Sequence, residues 1–527
     1  MAVRLILEYL IMIVFLVSTS ALAVYGAHLY VLLYLFCRRN KGKSAEQRAF
    51  IEHYQATVPP EEWLGVTSQI PIYNEADVAV RVIRAVAAME YPPGKHAIQV
   101  LDDSTDETRF LVDRTVRRLR QQGVDIEVLR RENRAGFKAG ALREGAARSR
   151  HPLLAVFDAD FVPPPDFLKR ATPLLARDEG LACLQGRWAH LNPNESWLTN
   201  AQSVGIDGHF AIEQGARAWN DLMMNFNGTA GVWRKAAIDD PRVGGWSADT
   251  LTEDLDLSYR VQLAGWRIDY CRDLACPAEL PNTVMALKAQ QRRWATGSIQ
   301  TAIKLLPRIW KAPLGLHKKV EATLHLTHFS VSLWMLILAV LARPMLLALD
   351  PMPMAWAFNS GWLLVVLSSL APPLVYGYAR YSLGGGWTGL KTVPALMVLG
   401  TGMSVSNGLA VLRGLYQRGG EFVRTPKSGS TQTTRMTSRY KVARHKSMWF
   451  FEMLLGAYCL ANWAIYVTMN HVVWSFFLGI YAVGYLTIGW MSRPEASGPR
   501  RRWVVIEEGE PAVSGTLSPA SGAVQAG

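Results

Sequence analysis

Short apolar runs alternate with amphipathic segments between about residues 64 and 285 of this 527-residue chain. Four of the apolar runs have the length and the flanking turn residues of buried strands: 65–70, 98–101, 126–129 and 153–157. Three segments with the apolar spacing of helices separate them: 76–89, 108–122 and 138–149. Because strands that alternate with helices form right-handed βαβ units, the pattern predicts an α/β domain built on a parallel sheet.

A longer apolar run lies at the N-terminus, from about residue 5 to residue 36, and is broken only by Glu8 and His28. It is long enough to cross a hydrocarbon core of about 30 Å. Residues 21–23 resemble a signal-peptide cleavage site, but the apolar run continues well beyond them, which favours an uncleaved anchor. The basic residues at 38–43 then place the following domain in the cytoplasm by the positive-inside rule.

Four further apolar runs predict membrane spans towards the C-terminus: 324–349, 361–378, 450–469 and 472–490. The segment 390–416 is apolar but rich in Gly, Ser, Thr and Asn, so that it could span, re-enter or lie in the interface. The basic clusters at 435–446 and 493–502 are both cytoplasmic only if this segment does not cross. We therefore predict five true spans and an interfacial or re-entrant element at 390–416.

These boundaries divide the chain into six parts. They are an N-terminal transmembrane helix (1–37), a cytoplasmic domain with an interfacial end (38–310), two transmembrane helices (311–389), an interfacial or re-entrant segment followed by a loop (390–448), a transmembrane hairpin (449–491) and a cytoplasmic tail (492–527). The tail is rich in Gly, Ala, Ser and Pro, and we expect it to be largely disordered.

The composition agrees with a membrane protein that carries one large aqueous domain, because half of the residues are hydrophobic and they are clustered. The 56 basic and 43 acidic side chains give a net charge of +13. The basic residues lie beside the apolar runs, which favours contact with the lipid bilayer over binding of nucleic acid. Five cysteines without a Cys-x-x-Cys pair predict reduced thiols and no zinc site.

Acidic residues follow two of the predicted strands at their carboxyl ends, where open α/β sheets bind their ligands. Asp158 and Asp160 come directly after the fourth strand, and Asp102 and Asp103 end the second. Two carboxylates one residue apart repel each other unless a cation lies between them, and a hard divalent ion would also hold phosphate groups. For an isolated Asp-x-Asp, an ordinary acidic turn is the alternative.

Three further features carry possible chemistry. Lys138 lies in a loop of small residues that opens a helix, where backbone N–H groups and an ammonium suit a phosphate. Thr252, Glu253 and Asp254 precede an apolar-spaced helix, for which an N-terminal cap is the alternative interpretation. The stretch 290–294 (QQRRW) precedes the membrane segments, for which an interfacial anchor is the alternative.

The order of these features resembles the family-2 glycosyltransferases, which are inverting enzymes with a nucleotide-sugar-binding (GT-A) fold. The resemblance covers residues 65–300 and is closest to the cellulose-synthase-like mannan and glucan synthases. It rests on five stretches: 69–75 (QIPIYNE), 99–106 (QVLDDSTD), 157–161 (FDADF), 185–188 (QGRW) and 226–234 (FNGTAGVWR). Outside the domain, 421–427 (EFVRTPK) resembles the gating loop of cellulose synthases, which covers the nucleotide from the cytoplasmic side.

The resemblance implies a role for each matching residue. Asp102 or Asp103 would contact the nucleobase and ribose, and Lys138 the diphosphate. Asp158 and Asp160 would hold the diphosphate through Mg²⁺ or Mn²⁺. The general base would be Asp254, next to Thr252 and Glu253. The remaining residues fall into two groups: donor-binding Gln290, Arg293, Thr425 and Lys427, and acceptor-binding Phe226, Asn227, Gly228, Thr229 and Trp294.

The resemblance therefore predicts a multi-pass hexosyltransferase of the plasma (inner) membrane with its catalytic domain in the cytoplasm. It would polymerise a β-linked glucan, mannan or glucomannan from UDP-glucose or GDP-mannose and export the growing glycan. A transferase that puts one sugar on a lipid, as ceramide glucosyltransferases do, is the first alternative. A transporter or scaffold that only binds the sugar nucleotide is the second. The loop at 421–427 and the additional spans favour the polymerase, and the presence of Asp254 and Trp294 favours an enzyme.

Overall fold

The computed structural model describes residues 2–349, 355–420 and 448–494. Its central element is a seven-stranded sheet with the order β3-β2-β1-β4-β6-β5-β7. The strands are β1 (Val66–Ile72), β2 (His96–Asp102), β3 (Ile126–Leu129), β4 (Leu153–Val156), β5 (Leu181–His190), β6 (Gly231–Arg234) and β7 (Arg267–Ala278). The predicted α/β architecture is confirmed, and the first four strands lie where the apolar runs placed them.

The four strands predicted from the apolar runs are parallel to one another, as expected, but the complete sheet is mixed. The pairs β1–β2, β1–β4, β2–β3 and β5–β7 are parallel, but β6 runs antiparallel to both β4 and β5. The chain reverses just before β6 through Gly228 at φ +83° and Ala230 at φ +55°. Both lie in the left-handed region of backbone space, which bends the chain sharply so that β6 returns beside β4.

The helices before the membrane segments are α1 (Ala2–Thr57), α2 (Ala76–Ala87), α3 (Thr108–Gln121), α4 (Phe137–Arg148), α5 (Phe167–Arg177), α6 (Trp197–Asp207), α7 (Gln214–Ala218), α8 (Lys235–Ile238), α9 (Glu253–Leu263), α10 (Val284–Lys311) and α11 (Leu316–Thr327). Then follow α12 (Ser330–Leu349), α13 (Ala355–Arg380), α14 (Val393–Tyr416), α15 (Met448–Thr468) and α16 (Val472–Met491). Short π-helical and 3₁₀ segments add Gly208–Glu213, Tyr381–Gly385, Pro60–Glu62 and Gly386–Thr392.

The unbroken apolar run of β4 is explained by burial on both faces of the sheet. Ala155 belongs to one core cluster, which also contains Val78 and Val82 of α2. Its neighbours Leu154 and Val156 point to the opposite face and belong to a second cluster. Because successive strand residues alternate between faces, a strand with helices on both sides requires apolar residues at every position.

Five helices in the described ranges are long and apolar enough to cross a membrane, which indicates a membrane protein. They are the N-terminal helix, the segment Gly389–Tyr416 and the helices α12, α15 and α16. The expected span at 361–378 lies within α13, which has 26 residues but is not one of these five. The number of crossings therefore depends on how α13 and α14 lie relative to the bilayer.

Both ends of α14 contact the α/β domain. At its start, Thr392 Oγ1 donates a hydrogen bond to Asn200 Oδ1 of α6. At its end, Gln300 Nε2 of α10 donates to the carbonyl oxygens of Gln417 and Gly419 at 2.9 and 2.8 Å. The helix is continuous from Val393 to Tyr416, so it does not turn back within the bilayer. Contacts at both ends are therefore made with α6 and α10, two helices that precede the membrane segments.

Candidate active site

A cleft of about 140 Å³ opens at the carboxyl ends of β1, β2 and β4. It collects most of the residues that the sequence predicted for the site. Those that line it are Asp103, Lys138, Asp158, Asp160, Asn227, Gly228, Thr252, Glu253, Asp254, Gln290, Arg293 and Trp294. They come from parts of the chain up to 191 residues apart, so that folding, and not local sequence, creates the site.

Three predicted residues lie behind the wall of the cleft. Asp102 accepts two hydrogen bonds from Arg130, at 2.9 and 2.8 Å, and is buried. Thr229 Oγ1 accepts a hydrogen bond from the backbone N–H of Asp158 at 2.9 Å. Phe226 is fully buried against Trp233, with ring centroids 5.4 Å apart. Thr425 and Lys427 lie outside the described residues.

Of the two adjacent aspartates, only Asp103 faces the cleft. Its two carboxylate oxygens accept from Nε and Nη2 of Arg131, which also donates to the carbonyl oxygens of Ala135 and Phe137. A bidentate pair of this kind fixes the plane of the carboxylate. The geometry therefore favours Asp103 over Asp102 as the residue that would contact a nucleoside.

Lys138 lies at the centre of the cleft. Its Nζ donates to Asp158 Oδ1 at 2.5 Å and to the carbonyl oxygen of Gly228 at 2.9 Å, and it lies 3.8 Å from Glu253 Oε1. Burial acts to lower the pKa of Lys138, but Asp158 and Glu253 outweigh burial and raise it. The ammonium is therefore charged at neutral pH and suited to an anionic ligand.

Asp254 occupies the first turn of α9, and the predicted capping alternative does not hold for Thr252. The Thr252 side chain makes no capping hydrogen bond, and its Oγ1 lies 3.3 Å from Thr301 Oγ1 of α10. Asp254 Oδ1 accepts from the backbone N–H of Leu255 at 2.8 Å. A Cβ placed on Gly228 would lie 2.9 Å from Asp254 Oδ2, so that glycine at this position leaves the space before the carboxylate open.

The surroundings of Asp254 favour its protonated form. Burial and the charge of Glu253 raise the pKa of Asp254 to about 7, although Lys138 and Arg293 act in the opposite direction. A carboxyl group that changes protonation near neutral pH can take up a proton and release it again under working conditions.

The donor atoms at Asp158 and Asp160 suit a hard divalent ion, which prefers carboxylate oxygens. Burial and the nearby charge of Asp160 raise the pKa of Asp158, and Lys138 partly opposes them. A bound cation would remove this repulsion. The described residues contain no group of three or more His, Cys, Asp or Glu side chains that could hold a metal. An ion here would therefore need oxygens from a ligand, such as a diphosphate, to complete its coordination.

The helix α10 presents Gln290, Arg293 and Trp294 to the cleft. Residues three and four apart share one face of a helix, so that a single element positions all three. The helix is capped by Thr283, which precedes its first residue and whose side chain accepts a hydrogen bond from the N–H of Ala286.

Several cleft residues were not assigned a role from the sequence, among them Tyr73, Arg134, Trp188, His190 and Glu279. The guanidinium of Arg134 lies 3.4 Å above the ring of Tyr73. Trp188 lies 6.3 Å from Trp294, measured between ring centroids. Tyr73 and Trp188 both stand in the stretches that carry the family resemblance, and aromatic residues at strand ends were a signal for them.

The mixed sheet carries an Asp-x-Asp pair at the end of β4, and helices α4 and α9 add a buried lysine and a further carboxyl group to the same cleft. This arrangement is that of the GT-A glycosyltransferases. The family model described as "Glycosyltransferase like family 2" matches residues 65–297. Glucomannan 4-beta-mannosyltransferase 7 of Arabidopsis thaliana is 33% identical over 410 residues, which are 75% of this chain and 70% of that protein. The chain belongs to the family-2 glycosyltransferases.

Other relatives are more similar in sequence but match over less of their length. Glucomannan 4-beta-mannosyltransferase 2 of Arabidopsis thaliana is 42% identical over 248 residues, 46% of each chain. Against such relatives the chain spans about half of their length. Among solved structures, mannosyltransferase PcManGT from Pyrobaculum calidifontis, in complex with GDP-Man and Mn2+, has a TM-score of 0.45 and 18% identity. The match covers 75% of this chain and 99% of that one.

Proposed function

We propose that the chain is a processive, inverting glycosyltransferase that polymerises a β-linked glycan from a nucleotide sugar and exports it across the membrane. The observation that carries the proposal is the position of Asp254. Its carboxyl group faces the open space beside Gly228 in a cleft that also contains Lys138 and the pair Asp158 and Asp160. A base, a phosphate-binding cation and acidic oxygens are thus gathered around one cavity.

The reaction needs a base because a sugar hydroxyl is a poor nucleophile. Asp254 would take the proton of the acceptor hydroxyl as its oxygen forms a bond to C1 of the donor sugar. The bond between C1 and the diphosphate breaks on the opposite face, so that the configuration inverts and the nucleoside diphosphate leaves with the bonding electrons. A pKa of about 7 suits Asp254 to this task at neutral pH.

The leaving diphosphate develops negative charge, which Lys138 and Arg293 in the cleft would stabilise. Mg²⁺ or Mn²⁺ held by Asp158 and Asp160 would supply further charge neutralisation when bound. Lys427 would add a cation from the segment that follows α14. A Cβ placed on Gly420 would lie 3.2 Å from Leu251, which lines the cleft, so the chain is next to the site seven residues before Lys427.

The names of the relatives support a mannosyl donor. We therefore propose GDP-mannose ahead of UDP-glucose, with mannan or glucomannan ahead of glucan as the product. Trp294 would hold the acceptor, because an indole packs against the apolar face of a sugar ring without locking it in place. This mode of binding suits a chain that must slide after each addition.

The proposed orientation has the catalytic domain in the cytoplasm and the chain in the plasma (inner) membrane. The basic residues 38–43 after the N-terminal span support it. The contacts of both ends of α14 with the α/β domain support five crossings and an interfacial α14. The donor would then be drawn from the cytoplasm, and the membrane helices would provide the path for the product.

The experiment is to incubate membranes containing the protein with labelled GDP-mannose or UDP-glucose and to separate the products by thin-layer chromatography. We expect label that stays at the origin and, by linkage analysis, consists of β-linked hexose. Chloroform-soluble label would instead identify a glycolipid transferase. Binding of the sugar nucleotide without any incorporation would identify a binding protein. Asp254→Asn membranes are the matched control.

A further inference from the structure

A π-helical turn, Gly208–Glu213, lies directly behind the part of the cleft that we assign to the acceptor sugar. Turns of this kind are rare and are often retained at functional sites, because the extra residue changes which side chains face a ligand. None of its six residues lines the cleft. Two neighbouring side chains of the turn, His209 and Phe210, nevertheless contact residues that line the cleft.

His209 holds one of these residues. Its Nε2 lies 3.2 Å from Asn227 Oδ1, and Asn227 lines the cleft beside Gly228. The same Asn227 oxygen accepts from Asn225 Nδ2 at 3.0 Å, and the Asn227 N–H donates to Gln185 Oε1 at 2.9 Å. His209 Nε2 also lies 3.1 Å from Gln214 Nε2, and Asn227 Nδ2 donates to the carbonyl oxygen of Asn225 at 3.3 Å. Together these contacts hold the amide of Asn227 in one orientation in the cleft.

Phe210 contacts the second of these cleft residues, Trp188. Its ring stacks on Trp188 with centroids 4.7 Å apart and an angle of 21° between the planes. Trp188 in turn contacts Trp294, at 6.3 Å between centroids. Since Phe210 is almost fully buried, this row of rings has a fixed inner end, which limits rotation of the two indoles.

The turn itself is tied to α11 by buried charges. Glu213 accepts from His209 Nδ1 at 3.4 Å and from Arg217 at 3.0 Å, and Arg217 donates to Glu321 of α11 at 2.6 Å. Burial acts to raise the pKa of Glu213, but the hydrogen bonds of His209 and Arg217 outweigh it and hold the pKa well below the usual value. Glu213 is therefore charged at neutral pH, and the turn has an ionic attachment to the helix that leads into the membrane segments.

We propose that the turn Gly208–Glu213 is the positioning element of the acceptor subsite, with His209 and Phe210 as positioning residues for Asn227 and Trp294. The ligand is a hexose unit of the growing glycan. The inference rests on the proposed function and goes beyond it, because it assigns the geometry of acceptor binding to residues that do not touch the substrate. The donor side of the cleft, with Asp103 and Lys138, makes no hydrogen bond to this turn among the described contacts.

The test compares His209→Leu with His209→Gln, since glutamine keeps a polar side chain that can hydrogen-bond to Asn227, whereas leucine cannot. A soluble β-1,4-linked manno-oligosaccharide serves as acceptor, and KM is measured separately for acceptor and donor. We expect His209→Leu to raise the acceptor KM about fivefold to tenfold, the effect of one lost hydrogen bond and a loosened side chain. His209→Gln should recover most of this loss. The donor KM and the slow hydrolysis of donor without acceptor should stay within twofold of wild type.

His96→Gln is the matched control. His96 stands at the start of β2 and hydrogen-bonds to Ser68 of β1, away from the cleft. An unchanged acceptor KM in His209→Leu, or equal rises in donor and acceptor KM, would overturn the inference. The proposed function would still stand in that case, provided that the wild-type protein transfers sugar. Wild-type protein that transfers no sugar from either donor would overturn both. A variant that no longer binds nucleotide is misfolded, and Phe210→Leu then provides the same comparison through Trp188.

Discussion

Replacement of Asp254 by asparagine should abolish transfer and, at the same time, stabilise the protein. Asparagine keeps the shape of the side chain and an oxygen for the N–H of Leu255, but it cannot take a proton from the acceptor. Loss of a general base lowers kcat by about 10²–10⁴-fold. Binding of the nucleotide sugar should change little, because Asp254 is assigned to the acceptor side of the reaction.

The gain in stability follows from the raised pKa of Asp254. The pKa rises from 3.8 to about 7 on folding, so the folded state holds this proton more tightly than the unfolded chain does. Each pKa unit corresponds to about 1.4 kcal/mol, which makes the cost of the charged group at most about 4 kcal/mol above pH 7. The cost is absent below about pH 4, grows between pH 4 and pH 7, where only the unfolded chain is ionised, and is constant above pH 7. The variant should therefore exceed wild type in thermal stability at pH 8 and equal it at pH 4.

The assay is a thermal unfolding series from pH 4 to pH 8 in detergent, together with initial rates of sugar transfer. The wild-type kcat/KM should fall about tenfold per pH unit below pH 7, because protonated Asp254 is inactive as a base. Asp249→Asn is the control, because the pKa of Asp249 is shifted in the opposite direction to that of Asp254. Burial acts to raise the pKa of Asp249, but hydrogen bonds from Lys304 and Ser247 lower it, so this variant should lose stability at neutral pH and keep its activity. Turnover in Asp254→Asn within tenfold of wild type would remove Asp254 as the base.

Three other changes test separate parts of the account. Removal of divalent ions with a chelator should stop transfer, and Asp160→Asn should raise the Mn²⁺ concentration needed to restore it; full activity in chelator would reject the metal site. Lys427→Ala should weaken nucleotide binding or turnover without unfolding, whereas wild-type kinetics would mark residues 421–427 as an ordinary loop. Lys288→Met should destabilise by about 3–5 kcal/mol, because Glu452, which accepts from Lys288 at 2.6 Å, would be left as an unpaired buried charge. Lys288→Met with Glu452→Leu should recover most of that loss, and a double variant as unstable as the single one would contradict the pairing.

Much of the fold could be predicted because local patterns determine it. The strands β1 to β4 are short apolar runs between helices, and their parallel order follows from βαβ connections. The acidic residues at the ends of β2 and β4 could be placed in one site for the same reason, since parallel strands end at one edge of a sheet. The antiparallel β6 was not predicted, because it depends on a reversal at Gly228 and Ala230 that hydrophobic spacing does not report.

The details of the candidate site depended on contacts between distant residues. The burial of Asp102 by Arg130 and the exposure of Asp103 to the cleft could not be read from two adjacent aspartates. The π-helical turn that carries His209 follows a regular helix without a break, so its sequence shows no periodic signal. The pairing of Lys288 with Glu452 joins residues 164 positions apart, which no local pattern can indicate.

We propose that polymerisation of a β-linked glycan is coupled to its export, and transport into reconstituted vesicles can be measured. Purified protein is inserted with its catalytic domain outside, labelled GDP-mannose is supplied outside, and an endo-glycanase matched to the product linkage is added after synthesis. We predict long labelled polymer that resists the enzyme until detergent opens the vesicles. Label that is digested without detergent, or that extracts into chloroform, would contradict the account.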